Sequence, residues 1–234
     1  MKILFFNINR GRNNLSGVVD YVSELSNNID IFCFQEIEGE VLEKIDSLLL
    51  DKNFPKKYNK HCIINNLKYD GFDNCVYLSD KFDEVNYSEV IDKESMIPPI
   101  IWVSFLYGNS KWNILNFHGL PEPGNKLDTT ERLLSSEKII QIAKSMTGKI
   151  VIGGDFNLLP ETQSVKMFEN ADFKNLISDF KIDTTRNENA WRLYPNNKQL
   201  YADFCFTSQN CKINSFEVPK NLYSDHLPLI LDID

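Results

Sequence analysis

The chain lacks any long apolar segment. None of its hydrophobic runs approaches the roughly 18 residues that a membrane-spanning helix needs. The first run, Ile3 to Phe6, is also shorter than the about 7–15 apolar residues of a secretion signal. We therefore expect a soluble, cytoplasmic protein with no membrane association. Hydrophobic residues still make up 42% of the 234 residues, which is enough for a sizeable core, and this length favours one domain over residues 1–234.

An excess of positive charge is also absent. The chain has 33 acidic and 25 basic residues, a net charge of −8 and a sequence pI of about 5.0. Nonspecific nucleic-acid binders draw their affinity from Lys and Arg on phosphate, so this balance argues against that class. It does not exclude an enzyme that binds a phosphate through a metal ion, because a bound cation can make the local electrostatic potential positive.

Paired cysteine motifs are missing as well. The five cysteines are odd in number and show no C-x-x-C spacing, and three of them lie inside apolar, strand-like runs. Small buried hydrophobes are the usual interpretation of such cysteines. We predict reduced thiols and no zinc site for Cys33, Cys62, Cys75, Cys205 and Cys211.

Short runs rich in β-branched and aromatic residues dominate the chain and predict strands, among them "KILFFNI", "IDIFCFQ", "WNILNFH", "KIVIGG" and "LPLILDI". Helical patterns cover 16–28, with Ser16 as the expected cap, then 38–51, and a longer segment that begins at Asp128 or Thr129 and stops near Gly148. The order of elements predicts mixed sheets with helices packed outside them. The segment 183–200 is predicted to be a long loop, either functional or disordered.

Polar residues recur where these strands end. Side chains at the ends of neighbouring strands converge on one rim of a sheet, which is where open sheets usually place ligands. Each residue alone has a simpler explanation as a turn residue, an acidic helix start or a structural histidine. Their shared position is harder to explain that way. The residues are Asn7, Asn9, Gln35, Glu36, His118, Asp155, Asn157, Asp203, Ser224, Asp225 and His226.

The chemistry of this set is coherent. The carboxylates of Glu36 and Asp155 and the amide oxygens of Asn7 and Asn157 are hard donors, which suit Mg²⁺ or Mn²⁺ better than Zn²⁺. Histidines supply proton transfer or phosphate contacts, and either Asp203 or Asp225 is positioned in the sequence to orient His226. An oxygen-ligated metal combined with a His–Asp pair predicts hydrolysis of a phosphate ester.

The motifs "FFNINRG", "FCFQEIE", "NFHGLPEPG", "VIGGDFNLLP", "YADFCFTS" and "SDHLPLIL" together resemble the endonuclease/exonuclease/phosphatase superfamily, over Lys2 to Ile233. The resemblance implies an α/β (α+β) DNase I-like fold, a four-layer α/β/β/α sandwich of two mixed sheets. It also implies a phosphoesterase that depends on Mg²⁺ or Mn²⁺. Its partner would be a phosphate-ester substrate, DNA or RNA among the possibilities, and we expect a monomer.

The resemblance implies metal-side roles for three residues. Glu36 resembles the principal metal carboxylate, Asn7 lies beside it, and Asp225 is an additional metal-side carboxylate. Asn9 stands where abasic-site endonucleases of the superfamily carry an aspartate. This departure, together with His118 in place of their tyrosine and asparagine arrangement, argues against abasic-site repair.

Catalytic roles follow for five residues in the same way. Asp155 and Asn157 resemble the pair that positions the attacking water and the phosphate. His226 resembles the histidine that faces the scissile phosphate, Asp203 the acid that orients it, and His118 the second histidine of the nuclease and lipid-phosphatase branches. The sequence leaves the general base open between Asp155 and His226.

Substrate contacts are predicted outside this set. Asn74 matches a family position in "GFDNCVYLSDKF", and the loop 183–200 carries Arg186, Trp191, Arg192 and Tyr194, which are suited to gripping phosphates and stacking bases. The alternative is a solvated loop whose Trp191 packs on the core. A further arginine, at position 132, is either a phosphate contact or a surface salt-bridge partner.

Three functions stay open at this stage. The first is a nuclease or nucleotide phosphodiesterase. The second is an enzyme for a small phosphate ester, such as an inositol phosphate, a sugar phosphate or a lipid head group. The third is a catalytically silent binding domain of the same fold, which the intact set of polar residues disfavours.

Overall fold

The structure is a computed structural model that describes residues 1–53, 55–63, 73–90, 98–192 and 195–234. Its strands are β1 (Lys2–Asn7), β2 (Ile31–Gln35), β3 (Tyr58–Ile63), β4 (Asn74–Ser79), β5 (Asp83–Val90), β6 (Ile100–Tyr107), β7 (Ser110–His118), β8 (Lys149–Asp155), β9 (Phe173–Asn175), β10 (Asp203–Ser208), β11 (Ile213–Glu217) and β12 (Leu229–Ile233). Its α-helices are α1 (Leu15–Leu25), α2 (Gly39–Leu49), α3 (Thr130–Ser145), α4 (Gln163–Asn170) and α5 (Leu176–Asp179). Short 3₁₀ helices occupy Asn9–Gly11 and Glu188–Ala190.

The strands form two six-stranded sheets, with the orders β11-β12-β1-β2-β4-β3 and β5-β6-β7-β8-β10-β9. Each sheet has one parallel pair at its centre, β1 with β2 and β7 with β8, and the other pairings described are antiparallel. The sheets are therefore mixed, as expected for the DNase I-like α/β sandwich, and the predicted fold class is confirmed. Within the described residues no helix has both the length and the apolarity to cross a bilayer.

Strand β1 shows why its sequence is continuously apolar. Ile3 and Phe5 lie in the core between the two sheets, whereas Leu4 and Phe6 lie in a second core under α1 and α2. Because side chains alternate across a strand, a strand with both faces covered needs apolar residues throughout. On the far side of the molecule α3 and α4 cover the second sheet. The four layers follow from these covered faces.

The helix boundaries test the capping predictions. Helix α3 begins after Thr129, whose side chain accepts the Arg132 N–H at 3.2 Å, and its last helical residue is Ser145. Helix α1 corrects the prediction of Ser16 as its cap. Its cap is Asn14, which accepts the Gly17 N–H at 2.9 Å, and Ser16 instead lies in the first turn. Asn and Ser are both favourable N-cap residues, and Asn14 precedes Ser16 by two positions, so the helix begins before Ser16.

The prediction of five reduced cysteines is wrong for one pair. Cys62 and Cys75 lie directly opposite each other in β3 and β4, with Cα atoms 4.1 Å apart, and form a disulfide. The register of two strands brings these side chains together, and the spacing of the cysteines along the chain does not reveal it. Cys33, Cys205 and Cys211 are buried free thiols, as predicted.

Candidate active site

The predicted strand ends meet at one rim of the sandwich. In the first sheet Asn7 at the end of β1 is in register with Gln35 at the end of β2. In the second sheet Asp155 at the end of β8 is in register with both His118, the last residue of β7, and Asp203, the first of β10. Parallel strands that end together, and an antiparallel strand that begins there, therefore place these side chains side by side.

Two glycines before Asp155 let the sheets meet at this rim. A Cβ on Gly153 would lie 2.6 Å from the Phe5 ring of the opposite sheet. Gly154 has φ +131°, and a Cβ there would lie 2.1 Å from the carbonyl oxygen of Phe117. Any larger residue would force the strand away on one side or the other. The two glycines thus allow β8 to pack closely against Phe5 and Phe117 just before Asp155.

The first cluster of the site joins the two sheets. The Asn7 side-chain N–H group donates to Glu36 Oε1 at 3.1 Å and to Asp155 Oδ2 at 2.9 Å. His118 Nε2 lies 3.8 Å from that Glu36 oxygen and 3.6 Å from that Asp155 oxygen. Glu36 has φ +52°, in the left-handed region, where its carbonyl accepts the Arg10 N–H at 2.9 Å. We call Glu36, His118 and Asp155 the Glu36 group.

The donor set of the Glu36 group fits a divalent cation. One ligand atom from each of the three residues lies within 4.8 Å of the others. The carboxylates of Glu36 and Asp155 lie close together because both accept a hydrogen bond from the Asn7 side chain. A positive charge between them would offset their mutual repulsion. Carboxylate oxygens with few protein ligands match the preferences of Mg²⁺ and Mn²⁺. A metal site at this cluster is therefore chemically consistent.

Asp225 lies away from this cluster. Its Oδ2 accepts a hydrogen bond from Arg186 Nη2 at 2.5 Å and lies 3.9 Å from His226 Nε2. Burial opposes its ionisation, but the charges of His226 and Arg186 lower the pKa of the Asp225 carboxyl below its usual range. The carboxylate of Asp225 is thus bonded to Arg186. Its role on the metal side of the site stays a prediction.

The second cluster is a buried histidine–carboxylate pair. Nδ1 of His226 lies 3.0 Å from both carboxylate oxygens of Asp203, and Nε2 lies 3.6 Å from Asp155 Oδ2. Burial disfavours the charged imidazole, and so does Arg186. The carboxylates, with Asp203 the strongest, outweigh both and raise the pKa of His226 to about 9. Asp203, not Asp225, is therefore the residue that orients His226. We call these two residues the Asp203 pair.

Asp155 contacts both clusters and stays ionised. Burial opposes its charge, but His226, His118, Lys126 and Arg186 lower its pKa to about 2. Its Oδ1 accepts the backbone N–H of Asn157 at 2.9 Å. With Oδ1, Asp155 therefore holds the turn at Asn157. With Oδ2, it links the other members of the Glu36 group to the Asp203 pair.

Asn157 is fixed by three contacts. It has φ +53°, and its side-chain N–H group donates to the Gly119 carbonyl at 3.1 Å and approaches Asp155 Oδ2 at 3.4 Å. Its Oδ1 accepts a hydrogen bond from the Lys126 ammonium. The side-chain amide is therefore held in one orientation at the rim.

Sequence reasoning missed Lys126. Its side chain is buried beside Asn157, and burial lowers the pKa of its ammonium. A lone lysine in "PEPGNKLD" carries no periodicity or motif signal, so nothing in the local sequence distinguished it.

Arg132 is a buried residue and not a surface salt-bridge partner. Its residue is 2% exposed, and its guanidinium donates to four backbone carbonyls of the segment that precedes α3. The surface alternative is therefore wrong, because a residue in the first turn of a helix can satisfy the carbonyls of the loop before it. The phosphate contact stays a prediction. The four acceptors are Leu120, Pro121, Pro123 and Leu127.

The predicted loop 183–200 lies against the Asp203 pair. Arg186 forms an isolated β-bridge with His226 in addition to its bond to Asp225. Trp191 is half-buried and lines an apolar cleft of about 440 Å³ with Leu222 and Leu227. Arg192 is exposed. Tyr194 lies outside the described residues.

Asn74 lies at the start of β4, opposite Gln35, and is fully buried. Neither its side-chain nitrogen nor its oxygen has a hydrogen-bond partner among the described residues, and Gln35 Oε1 is also without one. Buried polar atoms without partners are rare and costly. Asn74 therefore lies next to β2, the strand that leads to Glu36, and its side-chain amide makes no hydrogen bond to the described residues. Its role in substrate binding stays a prediction.

Comparison with known proteins gives a family and a fold. A sequence model of the Endonuclease/Exonuclease/phosphatase family matches residues 4–226. The search of curated proteins found no match. Several solved structures share the fold. An endonuclease/exonuclease/phosphatase from Bacteroides vulgatus has a TM-score of 0.75 at 17% identity, covering 100% of this chain and 98% of that chain.

Two further structures resemble the chain along its length. A humanized D. rerio TDP2 has a TM-score of 0.76 at 13% identity, covering 100% of this chain and 98% of the other. The Bacteroides thetaiotaomicron mannosyl-6-phosphatase has a TM-score of 0.72 at 16% identity, covering 100% and 99%. At these identities the likeness shows the fold alone.

Proposed function

The chain belongs to the endonuclease/exonuclease/phosphatase family, and from that premise we propose that it is a divalent-metal-dependent phosphodiesterase acting on a nucleic acid or a nucleotide. The observation that carries the proposal is the position of Asp155, an ionised carboxylate within 3.6 Å of both His118 and His226. It joins a cluster suited to a cation to a cluster that holds a protonated imidazole. Hydrolysis of a phosphate ester needs both.

In this proposal Glu36 and Asp155 hold Mg²⁺ or Mn²⁺, with Asn7 keeping the two carboxylates together. A cation held there would supply Lewis-acid polarisation of the phosphate ester and would stabilise developing negative charge. The other residues act on the water and on the phosphate.

His226 acts as a hydrogen-bond and proton donor. Its raised pKa keeps it protonated near neutral pH, and Asp203 holds Nδ1 so that Nε2 points toward Asp155. The charged imidazole stabilises a non-bridging phosphate oxygen as its negative charge grows. Asp155 and Asn157 orient the attacking water, and a carboxylate with a pKa near 2 does this as a hydrogen-bond acceptor.

The cleft beside Trp191 supports a nucleotide substrate. This cleft shares Arg186 with the site and combines a half-buried indole with Leu200, Leu222 and Leu227. A flat aromatic surface next to a guanidinium suits a base that stacks and a phosphate that pairs. A nuclease or nucleotide phosphodiesterase is the function that this arrangement favours.

A small phosphate ester is the second candidate. A separate polar cleft of about 470 Å³ lies between the segment containing Lys126 and the loop containing Arg186, and its volume suits a small ligand. The net charge of −8 also disfavours a long polyanion. One structural neighbour carries the name mannosyl-6-phosphatase.

The test uses supercoiled plasmid and thymidine 5′-(p-nitrophenyl phosphate), each with Mg²⁺, with Mn²⁺ and with EDTA. We expect metal-dependent release of p-nitrophenolate that His226→Ala abolishes, and plasmid nicking if the substrate is a strand. Hydrolysis of p-nitrophenyl phosphate without hydrolysis of the diester would replace the proposal with the small-ester function. No hydrolysis together with no Mg²⁺ or Mn²⁺ binding by calorimetry would identify a silent binding domain.

A further inference from the structure

Lys126 is a buried cation that the site carboxylates Asp155 and Asp203 stabilise only from a distance. Its residue is 5% exposed, and its ammonium donates to Asn157 Oδ1. In the part of the chain that the structure describes, no carboxylate lies within 4 Å of that ammonium. Buried charges in proteins are normally paired, because an unpaired one loses its hydration without compensation. A bound anion would therefore give the Lys126 ammonium a direct partner that the described residues do not supply.

The local backbone is built to hold Lys126 in this place. Lys126 has φ +57°, which is unfavourable for a lysine, and its carbonyl accepts the Leu159 N–H at 3.0 Å. Arg132 fixes the carbonyls on both sides of it, from Leu120 to Leu127. A strained residue that so many contacts maintain is characteristic of a functional position.

A second cation lies across the polar cleft from Lys126. Arg186 lines the same cleft as Lys126, together with Glu122, Asn197 and Gln199. Its Nη2 bonds to Asp225, but its Nε is buried and has no hydrogen-bond partner. The cleft adjoins the site through both cations, since Lys126 contacts Asn157 and Arg186 contacts Asp225. Two cations thus border one cleft beside the reacting centre.

We propose that Lys126 and Arg186 form an anion subsite that binds a second phosphate of the substrate, next to the phosphate that is hydrolysed. The inference rests on the proposed phosphodiesterase function and narrows its substrate to esters that carry at least one further phosphate. Lysine and arginine donors to phosphate are charge-assisted and therefore strong. Lys126 is a specificity-determining residue in this arrangement.

The test compares two substrates that differ by one phosphate. They are thymidine 5′-(p-nitrophenyl phosphate) and the same ester with a 3′-phosphate. We expect the native protein to prefer the bisphosphate by about 10–100-fold in kcat/KM, the value of one or two charge-assisted hydrogen bonds. Lys126→Gln should reduce this ratio to near one, and Lys126→Arg should restore part of it. Lys198→Gln, which removes an exposed lysine from the neighbouring loop, is the matched control and should leave the ratio unchanged.

Two outcomes would overturn the inference. An equal loss of kcat/KM on both esters in Lys126→Gln would show that Lys126 acts on the scissile phosphate or only on folding. An unchanged ratio would show that it binds no substrate phosphate. If the native protein hydrolyses neither ester, the proposed function fails and calorimetry decides the subsite. Thymidine 3′,5′-bisphosphate should then bind the native protein at least tenfold more tightly than Lys126→Gln, and equal affinities would contradict the subsite.

Discussion

The two clusters that meet at Asp155 differ in how closely their imidazole and carboxylate groups approach each other. In the Glu36 group His118 Nε2 lies 3.6–3.8 Å from carboxylate oxygens, beyond direct hydrogen bonding. In the Asp203 pair the corresponding distance is 3.0 Å. The first spacing leaves room for an outside partner between the imidazole and the carboxylates, whereas the second fixes the charge and orientation of one imidazole. The comparison indicates separate tasks, cation binding in one cluster and proton or hydrogen-bond donation in the other.

The largest effect should come from Asp155, because it belongs to one cluster and contacts the other. Asp155→Asn removes the negative charge that both histidines share. We expect kcat/KM for the thymidine diester to fall by at least the about 10²–10⁴-fold that a general acid–base group contributes. Asp179→Asn, at an exposed aspartate of α5, is the control. A loss below tenfold would show that the two clusters work independently of Asp155.

Glu36→Gln should separate the clusters by their response to metal. We expect the concentration of Mg²⁺ for half-maximal activity to rise by at least the about 10–100-fold that loss of an outer-shell partner costs a metal site. Excess Mg²⁺ should recover part of the rate, because the amide oxygen still coordinates weakly.

Asp203→Asn is the counterpart of this experiment. Its activity loss should not respond to added Mg²⁺, because Asp203 bonds to His226 and not to the Glu36 group. Identical metal titrations for the two variants would remove the distinction between the clusters.

The Asp203 pair should also make stability depend on pH in EDTA. The pKa of His226 is raised from its ordinary 6.5 to about 9. A raised folded-state pKa contributes stability that is complete below about pH 6.5 and is lost as the pH rises through 9. We expect the free energy of unfolding to fall by at most roughly 3 kcal/mol over that window. Urea denaturation at a series of pH values measures it.

The same titration in Asp203→Asn should be flat by comparison, since the carboxylate that stabilises the imidazolium is gone. A native protein whose stability rose between pH 6.5 and 9 would contradict a protonated His226.

The smallest effect is expected where the clusters are joined through the backbone. Ser224 Oγ donates to the Asn7 carbonyl at 2.8 Å and so ties the end of β1 to the segment that carries His226. Ser224→Ala should cost about 1 kcal/mol of unfolding free energy, the usual value of one such bond. Activity should fall less than tenfold. A loss of activity of more than tenfold, with the unfolding free energy lowered by only about 1 kcal/mol, would mean that this bond sets the distance between the clusters.

The sequence was most informative where chemistry and strand direction coincide. Residues at the ends of parallel strands must share a rim, so the proximity of Asn7, Glu36, His118 and Asp155 followed from strand order once the two mixed sheets were expected. The order of strands and helices predicted mixed sheets with helices packed outside them, and the four-layer sandwich was implied by the resemblance to the superfamily. Strands such as β1 are apolar on both faces, which agrees with both.

Positions that depend on distant contacts were not predictable. Lys126 owes its place to a loop held by Arg132, and neither residue has a periodic signal. Helix α4 has only 8 residues, too few for a clear helical period. The Cys62–Cys75 bond depends on strand register. Each of these features depends on tertiary packing or strand register, which local sequence patterns do not encode.

The bond between Ser224 and Asn7 spans 217 residues, and it lies beside the pairing of β1 with β12. Until β12 pairs with β1, the backbone N–H and C=O groups along one edge of β1 have no strand partner. This apolar edge strand can then pair with strands of other chains and cause aggregation. Contacts of such long sequence separation form slowly. We therefore expect the candidate site to be among the last parts of the molecule to assemble during folding, so that enzymatic activity would report the completed fold more faithfully than secondary structure content does.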